Sequence, residues 1–421
     1  MARLRLAITG RTGRPEGKKQ RMHTEGAEMT NRSWMGAGGG VMHSARRLAG
    51  WAVLVAALAV AALAIACGDD DDDEVAAPAA TTAPEAAAPE PIKVGFLYVG
   101  TVDDGGYNQA AYLGEVAVND DPMFETINAE NVPESAEAER VMQQMIADGA
   151  TIIFPTSFGH LDPAIRVAEQ HPDVTFLHQG GLRTTENVGT YFGTIWEVEY
   201  LAGIAAGRMT ETNKLGFVVA FPIPQTLLNI NAFHLGARSV NPDVTTTVVF
   251  TANWCDPAKN VEATESLASQ GIDLITQHQD CPVPVIEAAE RLGIWSVGYH
   301  ADDKEFAPDG WVTAAIWDWT ELFPRLAKQV ADGTYVSGSL RQGLADGVVT
   351  LAEFGDNVPS GVAEEVGAAM EDMLSGALFA FEGPIADQDG TVRIAAGERP
   401  DVESLETTDW LAEGVIGTIP N

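Results

Sequence analysis

The sequence predicts an α/β protein of two similar lobes, each built on a parallel sheet. Three observations carry this. Apolar runs of strand-forming residues alternate with helical patterns at βα spacing, the pattern of parallel sheets. The alternation comes in two series, parted by the polar break Thr210-Glu211-Thr212-Asn213-Lys214. Strand-like pieces then return late, after a helical pattern from Thr320 to Asp332, so the chain crosses between lobes more than twice and makes a hinge.

The first stretch is not fold. Residues 1–41 are basic and rich in Gly, with no hydrophobic period. From Met42 (this or a nearby Met is expected to be the true start), His43-Ser44-Ala45-Arg46-Arg47 leads into an apolar run from Leu48 to Ala66. A positive region, an apolar region and small residues before a break make an export signal. Residues 64–67, Ala-Ile-Ala-Cys, resemble a bacterial lipobox, in which Cys67 is lipidated and becomes the first mature residue; Ala64 departs from the usual Leu. The alternative is an uncleaved signal-anchor helix, since the run is nearly long enough to span a bilayer. Residues 67–91 hold an acidic run (Asp69 to Glu74) and an Ala/Pro/Thr/Glu stretch that cannot build a core, which reads as a disordered tether. One acyl chain and a tether anchor a protein to the membrane without spanning it.

Beyond Cys67 the chain keeps 15 basic against 57 acidic residues, a formal balance of −42. That excludes nucleic acid, whose binding rests on Lys and Arg neutralising phosphates, and disfavours anionic lipid. With Cys67 taken by lipid, Cys255 and Cys281 remain. An even pair in an exported chain is a disulfide candidate. Each lies just past an apolar strand-like run, and parallel neighbours would bring them within reach; two buried thiols are the alternative.

The first lobe is assigned to 92–212, with strands at Val94–Val99, Phe124–Ile127, Thr151–Phe154, Val174–Leu177 and Val188–Phe192, and helices at Ala136 to Asp148 and Pro163 to Gln170. The second is assigned to 213–316, with strands at Leu215–Ala220, Thr245–Thr251, Ile272–Thr276, Ile294–Val297 and Val312–Ile316. Its helices run from Leu227 to Ala237, Ala258 to Gln270 and Val283 to Leu292. Residues 317–421 carry the hinge crossovers and tail, with strand-like pieces at Val348 to Phe354 and Leu378 to Pro384.

Ligands of open α/β sheets bind beyond the carboxyl ends of the strands. Those ends carry Asp103, Asp104, Tyr107 and Asn108; Thr156, Ser157, Phe158, His160 and Asp162; Phe221, Pro222, Pro224 and Gln225; Trp254 and Asp256; Gln277, His278, Gln279 and Asp280; Tyr299, His300, Asp302 and Asp303; and Trp317, Asp318 and Trp319. Aromatic faces beside amides and carboxylates suit a cleft for a flat polar ring. Taken singly each reads as packing or a cap, Asp162-Pro163 and Asp256-Pro257 as N-caps before an N1 proline. No Gly-x-x-x-x-Gly-Lys-Ser/Thr phosphate loop, His-Glu-x-x-His or Cys/His metal spacing occurs.

These residues resemble the BMP family (basic membrane protein, or purine-nucleoside-receptor-like) of ABC-transporter substrate-binding lipoproteins, over nearly all of Ile92 to about Gly383. The resemblance rests on Asp103-Asp104-Gly105-Gly106-Tyr107-Asn108-Gln109, Thr156-Ser157-Phe158-Gly159 with Asp162-Pro163, and Tyr200-Leu201-Ala202-Gly203. It also rests on Phe221-Pro222-Ile223-Pro224, Asn231-Ala232-Phe233 with Gly236-Ala237, Asp256-Pro257-Ala258-Lys259, and Gln277-His278 with Asp280 and Pro282. It implies the type I periplasmic-binding-protein fold, two Rossmann-like lobes with parallel sheets joined by a multi-crossover hinge. It implies Tyr107 stacking on a purine with Asp104 and Asn108 beside it, Phe221 facing it and Trp254 behind. Ser157, Phe158, Asp162, Gln277, Asp280, Tyr299 and Trp317 complete the expected ligand set. Asp302 is expected at the ribose, but Trp317-Asp318-Trp319 stands where nucleoside-binding members carry a Lys, so a free base is as admissible as a nucleoside. No cofactor or metal is implied. The expected partners are a permease and an ATPase, with the protein a monomer held by Cys67 on the extracytoplasmic face of the cell membrane. A sensor of the same fold is the alternative. An enzyme is the remote one: Ser157, His160 and Asp162 lie within six residues, but no Gly-x-Ser-x-Gly elbow surrounds Ser157.

Overall fold

A computed structural model describes residues 90–420. The export signal, Cys67 and nearly all of the tether lie outside the described residues. In the first lobe, β1 (Ile92–Leu97), α1 (Tyr107–Asn119), β2 (Phe124–Ala129), α2 (Ala136–Ala147), β3 (Ala150–Pro155), α3 (Leu161–Ala168), β4 (Thr175–Gln179) and β5 (Val188–Gly193) alternate as the pattern demands. Then follow α4 (Trp196–Met209), β6 (Lys214–Val219), α5 (Pro224–Val240), β7 (Thr245–Phe250), α6 (Pro257–Ser269), β8 (Leu274–His278), α7 (Val283–Leu292), β9 (Trp295–His300) and β10 (Trp311–Trp317). The chain ends with α8 (Leu322–Ala331), β11 (Ser339–Gln342), β12 (Val349–Leu351), α9 (Ser360–Leu374), the short β13 (Ile385–Ala386) and β14 (Val392–Ile394), α10 (Val402–Leu405) and β15 (Val415–Ile416).

One sheet has the order β11-β5-β4-β3-β1-β2 and the other β12-β10-β9-β8-β6-β7-β15. Every pairing in them is parallel except β10 with β12. The central strands β1, β3, β6 and β8 are buried along most of their length, which is why they read as continuous apolar runs without alternation. This is the type I periplasmic-binding-protein fold.

The crossings differ from the sequence-based boundaries. Trp196, Tyr200, Leu201 and Ala205 of α4 share a core with Phe217, Leu228 and Phe233 of the second lobe. The first crossing therefore comes between β5 and α4, ahead of the polar break at 210–214. The glycines explain the docking: a Cβ on Gly203 would strike the Phe233 carbonyl, and one on Gly236 the Tyr200 carbonyl. Their absence lets α4 and α5 lie backbone to backbone. The second crossing leads from β10 to α8, whose Phe323 stacks on Phe96 of β1, and the third from β11 to β12. Leu378 to Pro384 form turns, not a strand. Residues beyond α9 pack on the second lobe, where Asn231 accepts from Ala412 N–H and donates to the Trp410 carbonyl. Among the described residues, no helix is long and apolar enough to cross a membrane.

Candidate functional site

The loop after β1 sets one wall of the cleft. The Asp104 carboxylate accepts from the backbone N–H groups of Gly106, Asn108 and Gln109 and from Asn108 Nδ2. These are the orphan donors of a helix start, so Asp104 caps α1 and fixes the position of Tyr107. Asn108 is buried and its Oδ1 accepts from Gly100 N–H. Both therefore hold the loop rather than lining the pocket. Tyr107 donates its hydroxyl to the Thr156 carbonyl at 2.7 Å, which pins the ring.

The pocket lies between the lobes, and its empty space, open mouth included, is about 310 Å³. Tyr107, Ser157, Phe158 and Phe192 line it from the first lobe, and Ile223, Gln225, Trp254, His278 and Asp280 from the second. The lobes touch around it. Tyr107 N–H donates to the Asp280 carbonyl at 3.1 Å, Gln225 Nε2 to the Gly180 carbonyl at 2.7 Å, and Trp254 Nε1 to Glu134 Oε2 at 3.3 Å. The cleft is closed.

Electrically the pocket holds no cation: no Lys or Arg lines it. Burial, with the nearby Asp104 and Glu134 carboxylates, raises the Asp280 pKa well above the carboxylate range. Burial pushes His278 down to about 3. Both shifts favour the uncharged forms, so aromatic faces and a few weakly charged or neutral hydrogen-bonding groups make up the wall.

Other expected residues lie elsewhere. Phe221 does not line the pocket; its ring packs edge-on against Trp254 at 5.0 Å, so the expected order of the two is reversed. Asp162 is exposed, pairs with Arg183 and sits inside the first turn of α3, because a 3₁₀ turn over Phe158–His160 starts the helix two residues early. Asp256, in the same Asp-Pro context, does cap α6 by accepting from Lys259 N–H. Asp302 is exposed and accepts from Lys304 N–H. Gln277, Tyr299 and Trp317 are buried behind the wall. Gln277 Oε1 accepts from Gln279 N–H, the Tyr299 hydroxyl from Asn229, and Trp317 Nε1 donates to His300 Nδ1 at 2.9 Å. Trp317 also packs against Phe192 and Trp319, so it belongs to the aromatic hinge.

Ser157, His160 and Asp162 form no relay. Ser157 Oγ donates to Glu134 Oε1 at 2.6 Å, and His160 Nε2 meets the Val132 carbonyl. Glu134 was not singled out in the sequence, yet it also accepts from Gly159 N–H and from Trp254 across the cleft. Cys255 and Cys281 are joined, their Cα atoms 5.3 Å apart. Among the described residues, no cluster of His, Cys, Asp and Glu could hold a metal ion.

Two lobes that close over a small pocket, linked by three crossings, define a solute-binding protein. The family described as ABC transporter substrate-binding protein PnrA-like (Bmp) matches residues 92–373, and the chain belongs to it. It is 38% identical to a purine-binding protein of Brucella abortus (strain 2308) over 80% of this chain and 96% of that one. It is 36% identical to a protein of Haloferax volcanii named for glucose binding in an ABC transporter, over 79% of this chain and 82% of that one. Among solved structures it resembles an ABC-transporter solute-binding protein of Aeropyrum pernix K1, with a TM-score of 0.61 at 19% identity, covering 69% of this chain and 93% of that one; that likeness concerns the fold. The ligand is thus a small molecule and the partners are transporter components.

Proposed function

We propose that the chain is the lipid-anchored, extracytoplasmic receptor of an ABC importer, and that its cleft takes an uncharged purine-like ring. The observation that carries this is the pocket itself: four aromatic side chains and, among the described residues, no cation in its lining. Burial pushes the Asp280 pKa up, which favours its uncharged form. A phosphorylated ligand would face that wall without a counter-charge. A sugar, with a hydroxyl on nearly every carbon, needs more polar partners than Ser157, Gln225, His278 and Asp280 supply, and Ser157 already donates to Glu134. The name of the Brucella relative supports a purine, and that of the Haloferax relative makes glucose the competitor. Exposed Asp302 and the hinge position of Trp317 favour a base over a nucleoside, because neither offers the pocket a ribose contact.

No bond is broken in this reading. Ligand binding favours the closed state by the difference in its affinity for the two states, and lipid on Cys67 keeps the receptor beside its permease. The test is a thermal-shift screen of the protein against purine bases, nucleosides, nucleotides and glucose. A ligand at 100 times its dissociation constant adds about 2.7 kcal/mol. A shift with bases and none with nucleotides supports the reading; a shift with glucose and none with any purine overturns it. Loss of metabolic acyl labelling in Cys67→Ala checks the anchor.

A further inference from the structure

His278 ends β8 and contributes to the pocket wall. Its ring lies 4.5 Å from that of Tyr299, 5.7 Å from His300 and 6.4 Å from Trp254, centroid to centroid. Its Nδ1 is 3.1 Å from Nδ2 of Asn229 on α5, and the same amide nitrogen donates to the Tyr299 hydroxyl at 2.8 Å. An amide nitrogen donates and cannot accept. Nδ1 must therefore be the bare, accepting nitrogen, and the ring proton sits on Nε2. A second proton on Nδ1 would point at the amide hydrogens, so the ring is held neutral. Burial acts in the same direction. Among the described residues Nε2 has no hydrogen-bond partner, and it is not among the sealed, unpartnered polar atoms either, which leaves it open to the pocket.

The charged groups nearby do not disturb this. Asp280 follows two residues on, and burial raises its pKa, which favours its uncharged form. Glu199, whose charge would act on Tyr299, is buried with both oxygens unpartnered, and burial raises its pKa well above the carboxylate range. Beside this wall the neighbouring ring shows the same device with no ambiguity of orientation: Trp317 Nε1, a donor only, faces His300 Nδ1 at 2.9 Å.

We infer that His278 is a specificity-determining residue of the cleft, a fixed Nε2–H donor that requires an acceptor atom on the ligand ring, and that Asn229 is the positioning residue that holds it in this form. The inference rests on the purine-like reading for the identity of the ring, but not for the state of the imidazole. It gives the ligand a polarity: its acceptor edge turns toward β8.

The test has two arms. In the first, the full chain with 15N-labelled histidine is followed by NMR from pH 8 to 5 without ligand, the His278 signals being assigned by their loss in His278→Gln. A bare Nδ1 and a protonated Nε2, unchanged across the range, are expected, although a free histidine titrates near about 6.5. In Asn229→Asp the new carboxylate accepts a proton, so a protonated Nδ1 should appear. In the second arm, purine and its 1-deaza, 3-deaza, 7-deaza and 9-deaza analogues are titrated by calorimetry. One analogue should bind about tenfold more weakly than purine, the usual worth of one hydrogen bond. His278→Gln, which keeps a donor, should preserve that difference, and Asn229→Asp should erase it. Titration of His278 between pH 8 and 5, a proton on Nδ1 in the unaltered protein, or equal binding of all five rings would overturn the inference. If purine itself does not bind, the ligand reading falls and the NMR arm alone decides the state of His278.

Discussion

Tyr107 in the first lobe and Asp280 in the second are joined backbone to backbone, N–H to carbonyl at 3.1 Å. Both side chains line the pocket, so this hydrogen bond, with those of Gln225 and Trp254, holds the cleft closed and ties its opposite walls. Gly106 permits the approach. A Cβ there would collide with the Asp280 carbonyl and press on Pro282 Cδ.

Gly106→Ala should therefore obstruct closure while leaving each lobe folded. Overpacking of this kind costs about 1–3 kcal/mol, charged here to the closed state only. Ligand affinity should fall by about ten- to a hundredfold, and small-angle scattering with ligand should show a larger radius than the unaltered protein. Unchanged affinity would mean that the lobes bind without this contact.

The stacking faces should rank by position. Trp254 and Tyr107 line the pocket, whereas Phe221 supports Trp254 from behind. Replacing either lining ring with Ala should weaken binding by about 1–3 kcal/mol, the worth of a stacking face. Phe221→Ala should cost less, through a looser Trp254. Calorimetry on the three variants checks the order, and a Phe221 loss exceeding that at Trp254 would reverse the assignment.

Much of this fold was readable because buried parallel strands announce themselves as short apolar runs. The helix over Val283 to Leu292 has the bounds read from the sequence. What escaped was α4. It is buried on nearly every side, so no 3.6-residue stripe marks it, and the first crossing was placed at the polar break that follows. In the site, Tyr107, Ser157, Phe158, Trp254 and Asp280 were legible as polar or aromatic residues at strand ends. Phe192 was not, because it reads as one more core residue of β5. Glu134 was not, because its three hydrogen bonds depend on a loop whose path no motif encodes. Asp162 and Asp256 share one local pattern and differ in outcome, since only the tertiary course of the chain decides where a helix begins.

Asp303 gives the fold a pH dependence. It is buried on the loop after β9, with Oδ2 unpartnered. Burial first, then the charges of Asp302, Asp104 and Glu305, raises its pKa from 3.8 to about 7. Between these values the folded chain holds a proton that the unfolded chain has lost, so stability falls as pH rises from about 4 to 7 and the full penalty stands above 7. The shift corresponds to at most about 4 kcal/mol. Asp303→Asn should therefore be more stable than the unaltered protein at pH 8 and equal to it near pH 4. Denaturant unfolding at both values tests this; a gain of the same size at both would assign the effect to packing.

The disulfide joins structure to binding. Trp254 precedes Cys255 and Asp280 precedes Cys281, and the Asp280 N–H donates to the Trp254 carbonyl at 2.8 Å. The bond thus ties together the segments that follow β7 and β8, strands that are not neighbours as expected but flank β6 in the sheet, and both segments carry pocket residues. Opening a loop with a sequence separation of 26 residues should cost about 3–4 kcal/mol on the chain-entropy model. Cys281 is buried and Cys255 exposed, so a reductant reaches the bond from the Cys255 side. Reduction should lower the melting temperature and also weaken ligand binding, because the Trp254 ring loses its tether to the Asp280 strand end. The double variant Cys255→Ser, Cys281→Ser separates the two effects: with the protein kept well below its melting temperature, a binding loss that persists belongs to the wall of the pocket, and unaltered affinity would confine the bond to stability.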